Sequence, residues 1–188
     1  MKKLNNYLQS IHTLKALSEY DFSEYSKGDP VIYNNMLSGY INHFSKTLEL
    51  AWKLQKSILE YEGVSEVETG SPKQIIRLSY KYGLIANSEK WLVALDDRNL
   101  STHIYDEKGI SEAYNKIKSE YVDLIDSFTN NAIDRVIDLM NNNDLPLDEI
   151  DDGLKTLHNL REMNNGQDGS ISKDNDTSKL ADSNNKKV

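Results

Sequence analysis

Apolar residues recur along this chain at helical intervals, in blocks separated by polar breaks. Leu4, Leu8, Ile11, Leu14 and Leu17 stand three or four apart, which predicts an amphipathic helix from Leu4 to about Tyr20. Asp21 to Gly28 reads as a loop. Asp29 and Pro30 make a helix start, one as the cap and the other in the first turn, where its missing N–H is no loss. Leu37, Ile41, Phe44, Leu48 and Ala51 then repeat at 4-3-4-3 spacing, and Trp52, Ile58 and Leu59 carry the stripe toward Gly63. At about 1.5 Å per residue such a helix is roughly 50 Å long, the spine of a bundle.

Gly70-Ser71-Pro72-Lys73-Gln74 is the sharpest local signal. Ser71 caps, Pro72 takes the first turn and Gln74 completes a capping box, so a helix runs from there to Gly83. A shorter helix follows, capped by Asn87 or Ser88 and carrying Trp91, Leu92 and Leu95. The last strong helix starts between Asp106 and Ser111, with Ile110, Tyr114, Ile117, Tyr121, Leu124 and Phe128 in a 4-3 rhythm that Val136 and Met140 continue. Asn141-Asn142-Asn143 breaks it. Beyond lie Ile150, Leu154, Leu157 and Leu160, enough for one weak helix, and residues 164–188 hold four apolar residues. No strand alternation competes with this pattern. The expected architecture is all-α: an antiparallel four-helix up-and-down bundle over residues 1–140, a linker with a possible short helix over 141–163, and a disordered polar tail over 164–188.

Charge narrows the chemistry. The chain of 188 residues carries 22 Lys and Arg against 30 Asp and Glu, a net charge of −8. A protein that grips nucleic acid through a broad basic face reads the other way, so any RNA activity needs a locally positive cleft. The absence of cysteine excludes disulfides, thiolate nucleophiles and cysteine-ligated zinc. No run approaches the roughly 18 apolar residues of a membrane span, and the start of the chain lacks the apolar core of a signal peptide. A cytoplasmic location is expected.

Arg98-Asn99-Leu100-Ser101-Thr102-His103-Ile104-Tyr105 concentrates reactive side chains just after the Trp91 helix. Arg holds phosphate well and His moves protons near neutral pH. The pair would suffice for metal-independent cleavage of RNA, in which a 2′-hydroxyl attacks its own phosphate. Positions five apart differ by about 140° on an ideal helix, so Arg98 and His103 do not share a helical face. Either the helix breaks between them or two chains bring their copies together. The plainer alternative is a surface loop whose Arg98 pairs with Asp96 or Asp97. His12, His43 and His158 show no ligand spacing, and Trp52, Tyr114 and Tyr121 read as core in preference to ligand stackers. Lys53 and Lys56 solvate the long helix or face RNA or a partner. Gly169-Ser170 with Asp174-Asn175-Asp176 superficially echoes a nucleotidyltransferase motif, but the interval is too short and no strand surrounds it.

Phe44-Ser45-Lys46-Thr47-Leu48-Glu49-Leu50-Ala51-Trp52-Lys53 resembles an F-x-K-T-x-E-L-A-W-K family signature. Gly70-Ser71-Pro72-Lys73 with Ile76-Arg77, Gly83-Leu84-Ile85, Trp91, Asp97-Arg98-Asn99 and Ser101-Thr102-His103-x-Tyr105 follow in order. Together they resemble the nucleotidyltransferase substrate-binding proteins, the HepT-like branch of the HEPN superfamily, over roughly residues 1–140. The resemblance implies a HEPN four-helix bundle, a homodimer and a minimal nucleotidyltransferase as partner. It implies a toxin of a two-gene module whose ribonuclease site, composite across the dimer, uses Arg98, Asn99 and His103 with no cofactor and no metal. It also implies that the partner neutralises the toxin in part by adenylylating Tyr105. The alternative that the branch allows is a non-enzymatic substrate-binding subunit of a nucleotidyltransferase complex. The polar tail has no counterpart in the family pattern.

Overall fold

Helix α1 (Lys2–Glu19) lays Leu4, Tyr7, Ile11 and Leu14 against the interior. The computed structural model describes residues 2–101, 106–142, 144 and 145. His103 and Tyr105 lie outside them, as do nearly all of the expected linker and the whole of the expected tail. The polar stretch read as a loop folds into one helical turn, α2 (Ser23–Ser26), because Asp21 accepts the Ser23 N–H at 2.9 Å and starts it.

The spine is α3 (Pro30–Tyr61), 32 residues long. Its boundaries follow the local chemistry. Asp29 accepts the Val31 N–H at 2.8 Å with Pro30 in the first turn, and Gly63 beyond the end takes φ +81°, a conformation that a side chain disfavours. Helix α4 (Pro72–Lys81) opens on the expected capping box: the Ser71 hydroxyl accepts from Gln74 N, and Gln74 Oε1 accepts from Ser71 N at 2.8 Å. Replacing Ser71 by Ala removes half of that reciprocal cap. We expect the Ser71→Ala protein to lose about 1 kcal/mol in urea unfolding with an unchanged m-value.

Helix α5 (Ser88–Ser101) is capped by Asn87, which accepts from Lys90 N at 3.0 Å. Helix α6 (Glu107–Lys116) starts on the Asp106 cap and passes through a π-helical turn, Ile117–Tyr121, into α7 (Val122–Asn141). That turn shifts the apolar face. The 4-3 stripe continues to Tyr121, after which Val122, Ile125, Phe128, Ala132, Val136 and Leu139 point inward, and Leu124 and Met140 are only partly buried.

Cross-helix contacts give the order up, down, up, down for α1, α3, α5 and the α6–α7 rod. Lys3 Nζ donates to Ser57 and Ser10 shares a 2.7 Å hydrogen bond with Thr47, so α1 and α3 run oppositely. Tyr7 donates to the Ile125 carbonyl at 2.8 Å while Lys15 reaches Asp126 and Lys118 reaches the Tyr20 carbonyl, so α7 also opposes α1. The core runs continuously through these helices. Phe128 sits at its centre, 5.4 Å from the Tyr7 ring and 6.0 Å from Trp91. Every described element is helical, and no described helix is long and apolar enough to cross a membrane.

Candidate functional site

Two helix faces build the site. On α3, Glu49, Trp52 and Lys53 stand at i, i+3 and i+4 and so share one side. On α5, Leu95, Arg98 and Asn99 repeat the same spacing in its last two turns. The start of α4, Ser71-Pro72-Lys73, closes a third side. A groove of about 360 Å³ lies between them, lined by Glu49, Trp52, Pro72, Lys73, Arg98 and Asn99 among others.

Charge in the groove is arranged around Glu49. One carboxylate oxygen accepts from Lys53 Nζ at 2.5 Å and the other from Arg98 Nη2 at 2.9 Å. The Lys53 hydrogen bond, which outweighs the opposing cost of burial and is helped by the charges of Lys53 and Arg98, lowers the Glu49 carboxyl from its ordinary value. Glu49 is therefore ionised throughout neutral pH. Its contribution to stability is present above the ordinary carboxylate pKa and fades only as the solution becomes acidic. Arg98 Nη1 also donates to the Asn99 side-chain oxygen at 3.2 Å, which fixes the guanidinium plane between two partners.

The acids next to Arg98 serve other bases. Asp96 pairs with Lys73 at 2.7 Å and Asp97 with Lys116 at 2.7 Å. The alternative in which Arg98 pairs with Asp96 or Asp97 is thus replaced by the pairing with Glu49, because successive residues on a helix point in different directions and Arg98 faces α3.

Asp97 is itself a hub, accepting hydrogen bonds from both Lys116 and the Tyr121 hydroxyl. Lys116 and Tyr121 are five apart and would diverge on an α-helix. The π turn, with its i to i+5 bonding, brings both to one carboxylate. Tyr121 stacks on Phe44 at 5.5 Å, and Lys116 lies over its ring. Burial, followed by the bond to Asp97, pushes the Tyr121 hydroxyl up to about 12, and the Asp97 bond raises Lys116. The tether anchors the end of α5 one residue before Arg98. We expect the Tyr121→Phe protein to lose about 1.5 kcal/mol in chemical unfolding, the lower end for a bond to a charged group because Asp97 is partly exposed.

Of the sequence-derived site residues, Arg98 and Asn99 lie side by side in this groove. His103 and Tyr105 are outside the described residues. Trp52, read from sequence as core, is partly buried: it packs against the core and also lines the groove. Tyr114 and Tyr121 are core residues as expected. His43 binds the Ser10 carbonyl at 3.0 Å and His12 is exposed. No group of three or more His, Asp or Glu side chains among the described residues can hold a metal ion. Sequence reasoning gave no role to Glu49, although the Glu49-x3-Lys53 spacing marked a paired face on the long helix.

The chain matches the model of the family described as nucleotidyltransferase substrate binding protein like over residues 2–133. It is 28% identical over 89 residues to a probable ribonuclease HepT of Haemophilus influenzae, covering 46% of this chain and 61% of that relative. The matched region thus spans about three fifths of the relative's length. A solved Haemophilus influenzae structure, described as revealing the fold of a substrate binding domain of a nucleotidyltransferase, aligns at a TM-score of 0.61. It is 20% identical and covers 69% of this chain and 98% of its own.

Proposed function

Because this chain belongs to the nucleotidyltransferase substrate binding protein-like family, we propose that it is the ribonuclease toxin of a two-gene module, neutralised by a minimal nucleotidyltransferase. The seating of Arg98 carries the reading. An arginine in the last turn of α5, braced by Glu49 and Asn99 at the mouth of a groove, is set for a phosphate, and His103 follows at the R-x4-H interval. Similarity to a probable ribonuclease HepT supports it.

In this mechanism the 2′-hydroxyl oxygen attacks the adjacent phosphorus and the bond to the 5′ oxygen breaks. His103 removes the 2′-hydroxyl proton or delivers one to the leaving oxygen, according to which copy in a homodimer faces which atom. The Arg98 guanidinium bears the charge that builds on the phosphoryl oxygens, and Asn99 holds the guanidinium plane. The products are a 2′,3′-cyclic phosphate and a 5′-hydroxyl. No step needs a metal. Residues 1–140 form the working unit of a cytoplasmic homodimer, and the tail is dispensable to the chemistry.

Tyr105 is the proposed AMP acceptor. Its phenolic oxygen attacks the α-phosphorus of ATP, pyrophosphate leaves, and the transferase supplies the base and the magnesium that a phenol of pKa about 10 requires. The new phosphodiester pairs with Arg98 and keeps it from RNA. Incubation with the partner, ATP and magnesium should add one AMP at Tyr105, read by peptide mass spectrometry. An adduct that persists on Tyr105→Phe protein rules this acceptor out.

One observation favours a second reading. Arg98 is already ion-paired with Glu49, and the chain's net charge is −8, which suits a non-enzymatic subunit that presents a small substrate to the transferase. Expression of the chain without its neighbouring gene separates the two, since a toxin arrests growth and a binding subunit does not.

A further inference from the structure

The groove beside Arg98 holds more than charge. Trp52 has one side packed on the core and contributes to the groove's wall, with Leu95 and Pro72 adding apolar surface and Lys73 and Arg98 adding cations. Lys53 Nζ lies over the Trp52 ring, 5.8 Å from its centroid, so a base that stacks on that face takes the place of the ammonium. The other large grooves differ in sign. The one of about 740 Å³ between α5 and α7 is rimmed by Glu89, Glu120 and Asp123 with Lys90 as its base, and the one of about 560 Å³ at the far end of α3 by Glu62, Asp138 and Asp144 with Arg135. Carboxylate rims repel an anionic ligand, whereas the Trp52 groove sets an indole beside two cations, Lys73 and Arg98, against a single lining carboxylate, Glu49. Its volume stands at the low end of the roughly 300–1,000 Å³ of small-molecule sites, which suits one nucleotide.

We infer that Trp52 is the stacking wall of a nucleotide subsite, with the base against the indole and the phosphate toward Arg98 and Lys73. The RNA version of this subsite rests on the ribonuclease reading: the nucleotide is then the one flanking the scissile phosphate. Single nucleotides are its ligand under either reading. A π-face binds any base, so the subsite confers affinity and a preference for the larger purine surface. Glu49 competes with the phosphate for Arg98, so binding weakens with salt and strengthens when Glu49 is neutralised.

The test is calorimetric titration of the full chain with 5′-AMP, 5′-CMP and ribose 5-phosphate. The nucleotides should bind more tightly than the base-free sugar phosphate, with AMP ahead of CMP. Trp52→Leu should weaken AMP about 5- to 150-fold, the range of one stacked base, while leaving ribose 5-phosphate unchanged. Trp52→Phe should retain most of the AMP affinity, which separates stacking from loss of packing. AMP binding no tighter than ribose 5-phosphate, or unaltered in Trp52→Leu, overturns the subsite. A parallel RNA cleavage assay keeps the two ideas apart. Saturable, Trp52-dependent AMP binding without cleavage leaves the subsite standing and removes the ribonuclease. Cleavage with an unchanged KM in Trp52→Leu, together with AMP binding unaltered in that variant, does the reverse.

Discussion

Substituting His103 by Ala should cut RNA cleavage by about 10²- to 10⁴-fold, the usual contribution of a positioned general acid or base, and should abolish the growth arrest. Thermal unfolding should be unchanged, so that the loss reads as chemistry and not as unfolding. Arg98→Ala should lose a comparable factor, since the guanidinium acts where charge develops in the transition state. It should also show a small loss of stability, because Glu49 keeps Lys53 but loses its second cationic partner. A mixed dimer of one Arg98→Ala and one His103→Ala chain discriminates further. If the site is composite across the dimer, half of the sites in the mixed dimer retain both groups and activity recovers toward half, while each pure variant stays inactive. Cleavage that survives in the His103→Ala protein removes this residue from the chemistry.

Phe128→Ala should be the most damaging single change to the fold, costing about 3–5 kcal/mol. The ring is 1% exposed and contacts both Tyr7 and Trp91. Removing it leaves a cavity bounded by three helices, α1, α5 and α7, whose backbones are held by other contacts and cannot close over the gap. The Tyr7 hydroxyl bond to the Ile125 carbonyl is part of the same contact and loosens with it. A loss of this size approaches the whole stability of many domains. Urea unfolding followed by far-UV circular dichroism measures it, and a loss under about 1 kcal/mol would show that the core repacks.

The spine helix was legible in sequence because its start and stop are local. Asp29 and Pro30 begin it and Gly63 ends it, and none of these signals depends on the rest of the chain. The Ser71 capping box was readable for the same reason. The π turn at Ile117–Tyr121 was not, since an apolar 4-3 stripe runs into it without interruption. What selects it is a tertiary demand, the convergence of Lys116 and Tyr121 on Asp97 from a different helix. The site divides along the same line. Arg98 and Asn99 stood out by residue type and spacing, but their partner Glu49 is 49 positions before Arg98, and no local pattern pairs it with α5 rather than with Lys53 alone. Trp52 was assigned to the core because stripe membership is a statement about one side of a residue. A large ring on a helix flank can pack against the core and also line a groove, as Trp52 does.

The most direct test of the central proposal is to incubate the purified chain with a defined RNA in the presence of EDTA and identify the ends of the fragments. Cleavage through the 2′-hydroxyl at the Arg98–His103 site predicts 2′,3′-cyclic phosphate and 5′-hydroxyl ends, undiminished by the chelator, and no cut at a 2′-deoxy position. Fragments ending in 3′-hydroxyl and 5′-phosphate, or cleavage that EDTA abolishes, would contradict it.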